Sequence, residues 1–373
     1  MVIVSNAFKG SLTSIEAGHC IARGFRSAMR GVQVEVVPMA DGGDGTLDAV
    51  SACVPARKVT VKVRDPLMRR IQAQYLILKD EPTAVVEMAK ASGLALLKSH
   101  ERNAMLTTTY GTGELIRNAI MRGCKKIIVG IGGSATNDGG AGMASALGYR
   151  FLNRDGKEVM PCGATLSKIR RIDCSDVMPE IRHVKFVIAS DVKNPLLGKT
   201  GAARVYAAQK GATLEQIEFL EEWMRKFATI VKKQLVRDMA GIAGAGAAGG
   251  TGFGLMVFVG AKMQSGIELM IKMAGLEEKI KQADIVITGE GFLDAQSLQG
   301  KAPMGILRLS RKYKKPVIAF CGGVSDEALI YRYGFTAVVP IVNKPMPLED
   351  AMKNAADLLY DAARRTAKVI KIK

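Results

Sequence analysis

The chain has 373 residues, 48% hydrophobic and 24% charged, with 53 Lys and Arg against 35 Asp and Glu, a formal charge of +18. This composition excludes a disordered or fibrous chain, and the length exceeds what one compact core usually takes, so two domains are expected. The basic excess attracts anions, but the basic residues are dispersed and aromatics make up only 5%, which argues against nucleic acid as the main partner. Six cysteines form no C-x-x-C pair and the three histidines lie far apart, so neither zinc spacing nor a disulfide framework is expected. The opening Met1-Val-Ile-Val-Ser-Asn lacks signal-peptide character, and the longest apolar run, near residues 255–259, is too short for a bilayer. A cytoplasmic protein with no membrane partner is the expectation.

In chain order, short β-branched runs end abruptly in polar or glycine residues at 2–4, 34–37, 127–129, 186–188, 285–287, 317–319 and 337–341. Helical patterning follows several of them, at 14–29, 113–121 and 303–313. Buried strands alternating with helices predict an α/β protein with a largely parallel sheet. The region 58–78 departs from this rhythm. Val59, Val61 and Val63, then Ile71, Ala73 and Tyr75, alternate around Asp65-Pro66-Leu67-Met68, which predicts an antiparallel hairpin. The expected organisation is a discontinuous Rossmann-like parallel-sheet domain, 1–60 with 280–373, carrying an inserted mixed α/β domain, 61–279.

The most informative stretch is 126–142, Lys-Ile-Ile-Val-Gly-Ile-Gly-Gly-Ser-Ala-Thr-Asn-Asp-Gly-Gly-Ala-Gly. An apolar run breaks into glycines, two hydroxyls and an Asn-Asp pair, and helical residues 143–147 follow. Glycines allow successive N–H groups to face one concavity, and a helix N-terminus adds positive potential. This loop is expected to hold a phosphate. It is not a P-loop, for no Gly-Lys-Ser/Thr follows, and the formal match of Gly130, Gly132 and Ala135 to a dinucleotide pattern, with Asp155 further on, is weak. The run 244–250 reads either as a second anion cradle or as a close-packing surface.

Ligands of open α/β sheets bind beyond the carboxyl ends of the strands. There the sequence places Asn6 and Lys9, Asp41 and Asp44, Asp191 with Asn194-Pro195, and Glu290 with Asp294. Carboxylates that hold Mg²⁺, glycine amides that cradle phosphate, and a lysine that neutralises charge together favour phosphoryl transfer.

The chain resembles the bacterial type I glycerate kinase family. The resemblance rests on Phe8-Lys9-Gly10-Ser11-Leu12, residues 40–46 (Ala-Asp-Gly-Gly-Asp-Gly-Thr), 106–116, 131–142, and Asp191-Val192-x-Asn194-Pro195-Leu196. It continues through Gln209-Lys210-Gly211-Ala212, 244–250, Ser265-Gly266-Ile267-Glu268 and Ile287-Thr288-Gly289-Glu290-Gly291, in family order over essentially the whole chain. It implies two α/β domains with the active site in the cleft between them, MgATP as donor, D-glycerate as acceptor and 2-phosphoglycerate as product. The chain departs from the family pattern at Asn6 (usually aspartate), Asp44 (usually glutamate), Phe292 (typically arginine) and Cys321-Gly322-Gly323 (commonly Ala-Gly-Ser).

Residue roles follow from side-chain chemistry. Asp191, Lys9 and Glu290 are the candidate catalytic residues. Asp191 would serve as general base or Mg²⁺ ligand, Glu290 and Asp294 as metal or water ligands, and Lys9 would contact the transferred phosphoryl group or the substrate carboxylate. Gly132, Gly133, Ser134, Ala135, Thr136, Asn137, Asp138 and Gly139 would bind the ATP phosphates, and Asn6, Ser11, Asp41, Asp44 and Lys210 the substrate. The departures keep two further readings open, a kinase for a related hydroxy acid and a catalytically impaired ATP-binding paralogue. A homodimer is compatible with the chain.

Overall fold

The computed structural model describes residues 1–79, 81–294, 302–325 and 327–370, with the backbone alone for 327–329. In chain order the strands are β1 (Val2–Ser5), β2 (Glu35–Val36), β3 (Ala56–Arg64), β4 (Arg70–Leu78), β5 (Thr83–Glu87), β6 (Lys126–Gly130), β7 (Arg150–Leu152), β8 (Arg171–Asp173), β9 (Lys185–Ala189), β10 (Lys262–Gln264), β11 (Val286–Leu293), β12 (Val317–Val324) and β13 (Ala337–Pro340). The chain folds into two units, one of Met1–Asp41, Asp48–Val54 and Ile267–Lys373, the other of Gly42–Leu47 and Pro55–Gly266. The short segment 42–47 goes with the second unit because the buried Glu87 carboxylate accepts from the amides of Gly45 (3.3 Å) and Leu47 (3.0 Å).

The first unit is built on a five-stranded sheet in the order β13-β12-β11-β1-β2, every pair parallel. Numbered within the unit this is 2-1-3-4-5, the doubly wound order whose direction reverses between the first and third strands. Strands covered on both faces explain why β1, β11 and β12 read as continuous apolar runs. Ile3, Ile21, Phe25, Ile287, Phe320 and Leu359 form the core. The helix Ser14–Ala28 starts with a capping box, Thr13 and Glu16 each bonding the other's backbone N–H. It packs on the helix Ala355–Ile370 at Gly24, where a Cβ would lie 2.6 Å from the Ala363 Cβ.

The second unit carries a six-stranded sheet, β10-β9-β6-β5-β4-β3. Its β3–β4 hairpin is the one the alternation predicts, paired from Ala56 with Leu78 to Arg64 with Arg70. The Asp65 Oδ1 accepts from the amides of Leu67 and Arg69, both at 2.8 Å, and Met68 takes the left-handed φ of 65° that closes the turn. Beyond the hairpin, β5, β6, β9 and β10 run parallel. The strand β5 escapes a reading by periodicity because its apolar stretch, Ala84 to Val86, is only a few residues long and follows a proline. The long helix Leu214–Leu235 has its own capping box, Thr213 with Gln216, and Trp223 stacks on Phe219 with ring centroids 5.4 Å apart. No helix among the described residues is long and apolar enough to cross a membrane.

Candidate active site

The glycine loop of the second unit joins β6 to the helix Ala141–Ala146. Part of its backbone anchors it. Gly132 N–H donates to Gly42 O (2.9 Å), Ala135 N–H to Ser92 O (2.9 Å) and Gly139 N–H to Gly249 O (3.1 Å). The rest is left open: among the described residues, no acceptor pairs with the N–H groups of Gly133, Ser134, Thr136, Asn137 and Asp138. The Thr136 Oγ1 and both polar side-chain atoms of Asn137 are likewise buried without a partner. Buried polar groups are almost always hydrogen-bonded, so this cluster is a candidate site for a partner from outside the chain.

Asp138 and Lys210, both expected to touch ligand, have partners within the chain. Asp138 is fully buried, and its carboxylate accepts from the Thr109 N–H and hydroxyl (both 2.8 Å), from Gly140 N–H (3.0 Å) and from Gly142 N–H (3.2 Å). Burial pushes its carboxyl pKa up, and these bonds pull it back toward the ionised form. Asp138 therefore braces the loop against the start of the helix Tyr110–Met121. Lys210, expected at the substrate, is 1% exposed, and its ammonium donates to Ser134 Oγ (2.8 Å) and Thr136 O (2.6 Å). It tethers the loop from behind.

Burial lowers the Lys210 pKa to about 7, against the opposing pull of Asp138. A lysine with a folded pKa below its unfolded value carries fewer protons when folded in the window between them, so its contribution to stability grows as pH rises through that window. Relative to Lys210→Met, the wild-type protein is expected to gain stability from pH 7 toward pH 10. Urea unfolding of both proteins across that range checks the sign, and a flat difference overturns it.

The run 244–250 proves to be a packing surface. Ala248, Gly249 and Gly250 adopt left-handed φ values of 56°, 66° and 86°. A Cβ on Gly249 would lie 2.0 Å from Thr136 O, and one on Gly254 would lie 2.6 Å from Gly139 O. The small residues let the glycine loop lie directly on this backbone. Asp44 meets the exposed lip of the same loop, where a Cβ on Gly133 would lie 2.3 Å from its Oδ1. Asp155, the acidic partner of the formal dinucleotide pattern, sits in a tight turn closed by the side chain of Asn153.

Asp191 lies two residues past the end of β9 and is half-buried. The Asn-Pro turn behind it is fixed at Asn194, whose Nδ2 donates to Thr200 O (2.8 Å), whose Oδ1 accepts from Tyr206 OH (2.9 Å) and whose carbonyl accepts from Gly246 N–H (2.9 Å).

In the first unit, Asn6, Lys9, Ser11, Asp41, Glu290 and Asp294 line one cavity of about 730 Å³. It lies where the strand order reverses, beyond the carboxyl ends of β1 and β11. Asn6 accepts from Ala7 N–H through its own side chain (2.9 Å) and donates its N–H to Gly289 O (2.9 Å). The turn at Phe8–Leu12 closes with Ser11 Oγ donating to Phe8 O (2.9 Å) and Gly10 at φ 81°, which leaves Lys9 exposed at the tip. Glu290 is 7% exposed.

The structure thus gathers six of the expected residues in the first unit and places Asp44, Asp191, Lys210 and the glycine loop in the second. Sequence reasoning missed Glu87 and Thr109. The signal for Glu87 was an acidic residue closing an apolar run, and for Thr109 the threonine triplet 107–109 before a helix.

The Glycerate kinase family matches residues 1–371. A "Glycerate kinase" of Halalkalibacterium halodurans is 43% identical over 371 residues, covering 99% of this chain and 97% of that protein. The "Glycerate 2-kinase" of Escherichia coli K12 is 40% identical over 373 residues, covering 100% and 98%. A crystal structure assigned to glycerate kinase 2 of Salmonella typhimurium LT2 superposes with a TM-score of 0.85 at 40% identity, covering 100% of this chain and 98% of that one. Matched from end to end, in the order its motifs run, this chain belongs to the glycerate kinase family and is a kinase.

Proposed function

We propose that the chain transfers the γ-phosphoryl group of ATP to the 2-hydroxyl of D-glycerate, releasing ADP and 2-phospho-D-glycerate. The observation that carries this reading is the set of open amides at Gly133, Ser134 and 136–138, together with the partnerless Thr136 hydroxyl and Asn137 amide. Phosphate oxygens are the acceptors such a donor cluster suits. Two family relatives are named for the same acceptor, one of them as a 2-kinase.

Phosphoryl transfer asks the protein chiefly for positioning and charge neutralisation. The loop amides would hold phosphate oxygens, and Lys9, exposed on its turn, would meet the transferred group or the glycerate carboxylate. Asn6, Ser11 and Asp41 would orient the hydroxy acid. The glycerate oxygen bonds to phosphorus as the bridging P–O bond to ADP breaks, and the hydroxyl proton passes to Asp191 if that residue is the base. Among the described residues no three His, Cys, Asp or Glu side chains cluster closely enough to hold a metal by themselves. Mg²⁺ commonly takes only one or two carboxylates and completes its shell with phosphate and water, so Glu290 and Asp294, on one cavity wall, fit it. Bound there or with Asp191, Mg²⁺ would neutralise charge on the phosphate oxygens.

The full chain with MgATP and D-glycerate is expected to form 2-phosphoglycerate, identified by chromatography against the 3-isomer, and to stop when EDTA removes the metal. A panel of small hydroxy acids run beside it tests the acceptor. Absence of ADP release with every acid overturns the reading.

A further inference from the structure

A second cavity, of about 480 Å³, lies wholly within the second unit. Its lining comes from Tyr149, from parts of the segment 174–184 after β8, from Arg237 and from the end of the helix Ala247–Phe258. Residues 181–184 lead into β9 at its amino end, whereas Asp191 lies beyond its carboxyl end. The five residues of β9 span about 16 Å. The strand β6, which leads into the glycine loop, runs parallel beside it. The cavity is therefore at the opposite edge of the sheet from the glycine loop and Asp191, and neither lines it.

Met178, Ile181, Val184 and Phe258 give this cavity an apolar wall. Arg182 and Arg237 supply its charge, and among the described residues no carboxylate lines it. The Tyr149 hydroxyl, which donates to Phe258 O (2.7 Å), marks where the two arginines meet. Burial pushes the phenol pKa up, Cys174 adds to this, and Arg237 and Arg182 pull it down, so both guanidiniums lie close to one oxygen. Arg237 also donates to Val257 O. Among the described residues no hydrogen bond or ion pair holds the Arg182 guanidinium. Of the acids beside the lining residues, Asp173 and Asp176 pair with Arg150 (2.5 and 3.4 Å) and Asp238 with Lys232 (2.7 Å). Glu180 is exposed and outside the lining. Two like charges thus converge on one concave site with nothing negative between them, an arrangement that an anion relieves.

We propose that this cavity is a second anion site, taking a small organic phosphate. Arg182 and Arg237 hold the phosphate group, and the carbon body packs on Met178, Ile181 and Val184. A phosphate monoester is close to a dianion at neutral pH, which matches two guanidiniums, and guanidinium grips phosphate oxygens bidentately. A few polar groups set in an apolar wall are the usual form of a small-molecule site. The site does not depend on the transfer chemistry proposed above.

The test is alkylation of Cys174, which lines the cavity and is exposed. The full chain is treated with iodoacetamide, and reaction at each cysteine is followed by mass spectrometry of its peptide. Phenyl phosphate is expected to slow reaction at Cys174 while leaving the half-buried Cys162 of the same unit unchanged. Its half-protecting concentration is expected to lie about tenfold below that of inorganic phosphate, the scale of one partly buried ring. Benzyl alcohol, with the ring but no charge, is expected to protect far less. Benzyl alcohol or inorganic phosphate protecting as well as phenyl phosphate, or no protection by any of them, overturns the proposal. Arg182→Met keeps the apolar stem and removes the charge. It is expected to raise the half-protecting concentration about tenfold to a hundredfold, the scale of a hydrogen bond to a charged group. Unchanged protection in the folded variant also overturns the proposal. If that variant fails to fold, salt decides with the wild-type protein. Sodium chloride is expected to weaken protection because it screens the guanidiniums, and indifference to salt overturns the proposal.

Discussion

Asp191→Asn is expected to lower kcat by roughly a hundredfold to ten-thousandfold, the range that general acid–base groups supply, with unfolding temperature and both KM values near those of the wild type. The substitution keeps size and shape but removes the carboxylate that would accept the proton. Asp191 is half-buried and stands just past β9, so the core contacts of Phe186, Val187 and Ile188 are untouched. The neighbouring turn is held through Asn194. Two roles for Asp191 separate in the same experiment. If it is the base, the acid limb of the kcat–pH profile disappears in the variant, because the group whose ionisation produced it is gone. If it is a metal ligand, raised Mg²⁺ restores part of the rate. Near-normal turnover at all Mg²⁺ concentrations removes Asp191 from the chemistry.

The parts of this protein written locally were legible in its sequence. Parallel strands buried on both faces announce themselves as β-branched runs, and β1, β6, β9, β11, β12 and β13 all coincide with or overlap the expected ones. The β3–β4 hairpin is equally local, since alternation and an Asp-Pro turn define it within one stretch. The carboxyl-end rule then placed Asn6, Lys9, Glu290 and Asp294 together, because a parallel sheet brings the residues after its strands to one edge. What the sequence does not show is contact between distant segments. Lys210, expected at the substrate, is bonded to Ser134, 76 residues away. Asp41 and Asp44 share a motif, yet Asp41 lines the first unit's cavity while Asp44 lies against Gly133. Pattern does not show which of two carboxylates turns inward, for that depends on which donors tertiary packing brings within reach.

Asp138→Ala shows the cost of losing one such inward carboxylate, and the expected loss of stability is about 3–5 kcal/mol, the scale found when one partner of a buried charged network is removed. The Thr109 N–H and hydroxyl and the amides of Gly140 and Gly142 all point at Asp138. Alanine leaves these donors buried with no acceptor, and each one stranded costs about 1–3 kcal/mol before relaxation. Water has little room to replace the carboxylate: Thr109, Gly140 and Gly142 are buried, and a Cβ on Gly142 would already lie 2.1 Å from Thr108 Oγ1. Asp138→Asn keeps one acceptor oxygen but turns an NH₂ group toward N–H donors, so it is expected to fall between wild type and alanine. Urea unfolding of the three proteins gives the order, and activity of the folded fraction gives a second measure. A loop held mainly by Asp138 should lose turnover in step with stability, since the open amides at Gly133, Ser134 and 136–138 depend on its shape. A loss below about 1 kcal/mol for alanine, within reach of an ordinary single hydrogen bond, would assign the bracing instead to the contacts with Ser92, Gly42 and Gly249.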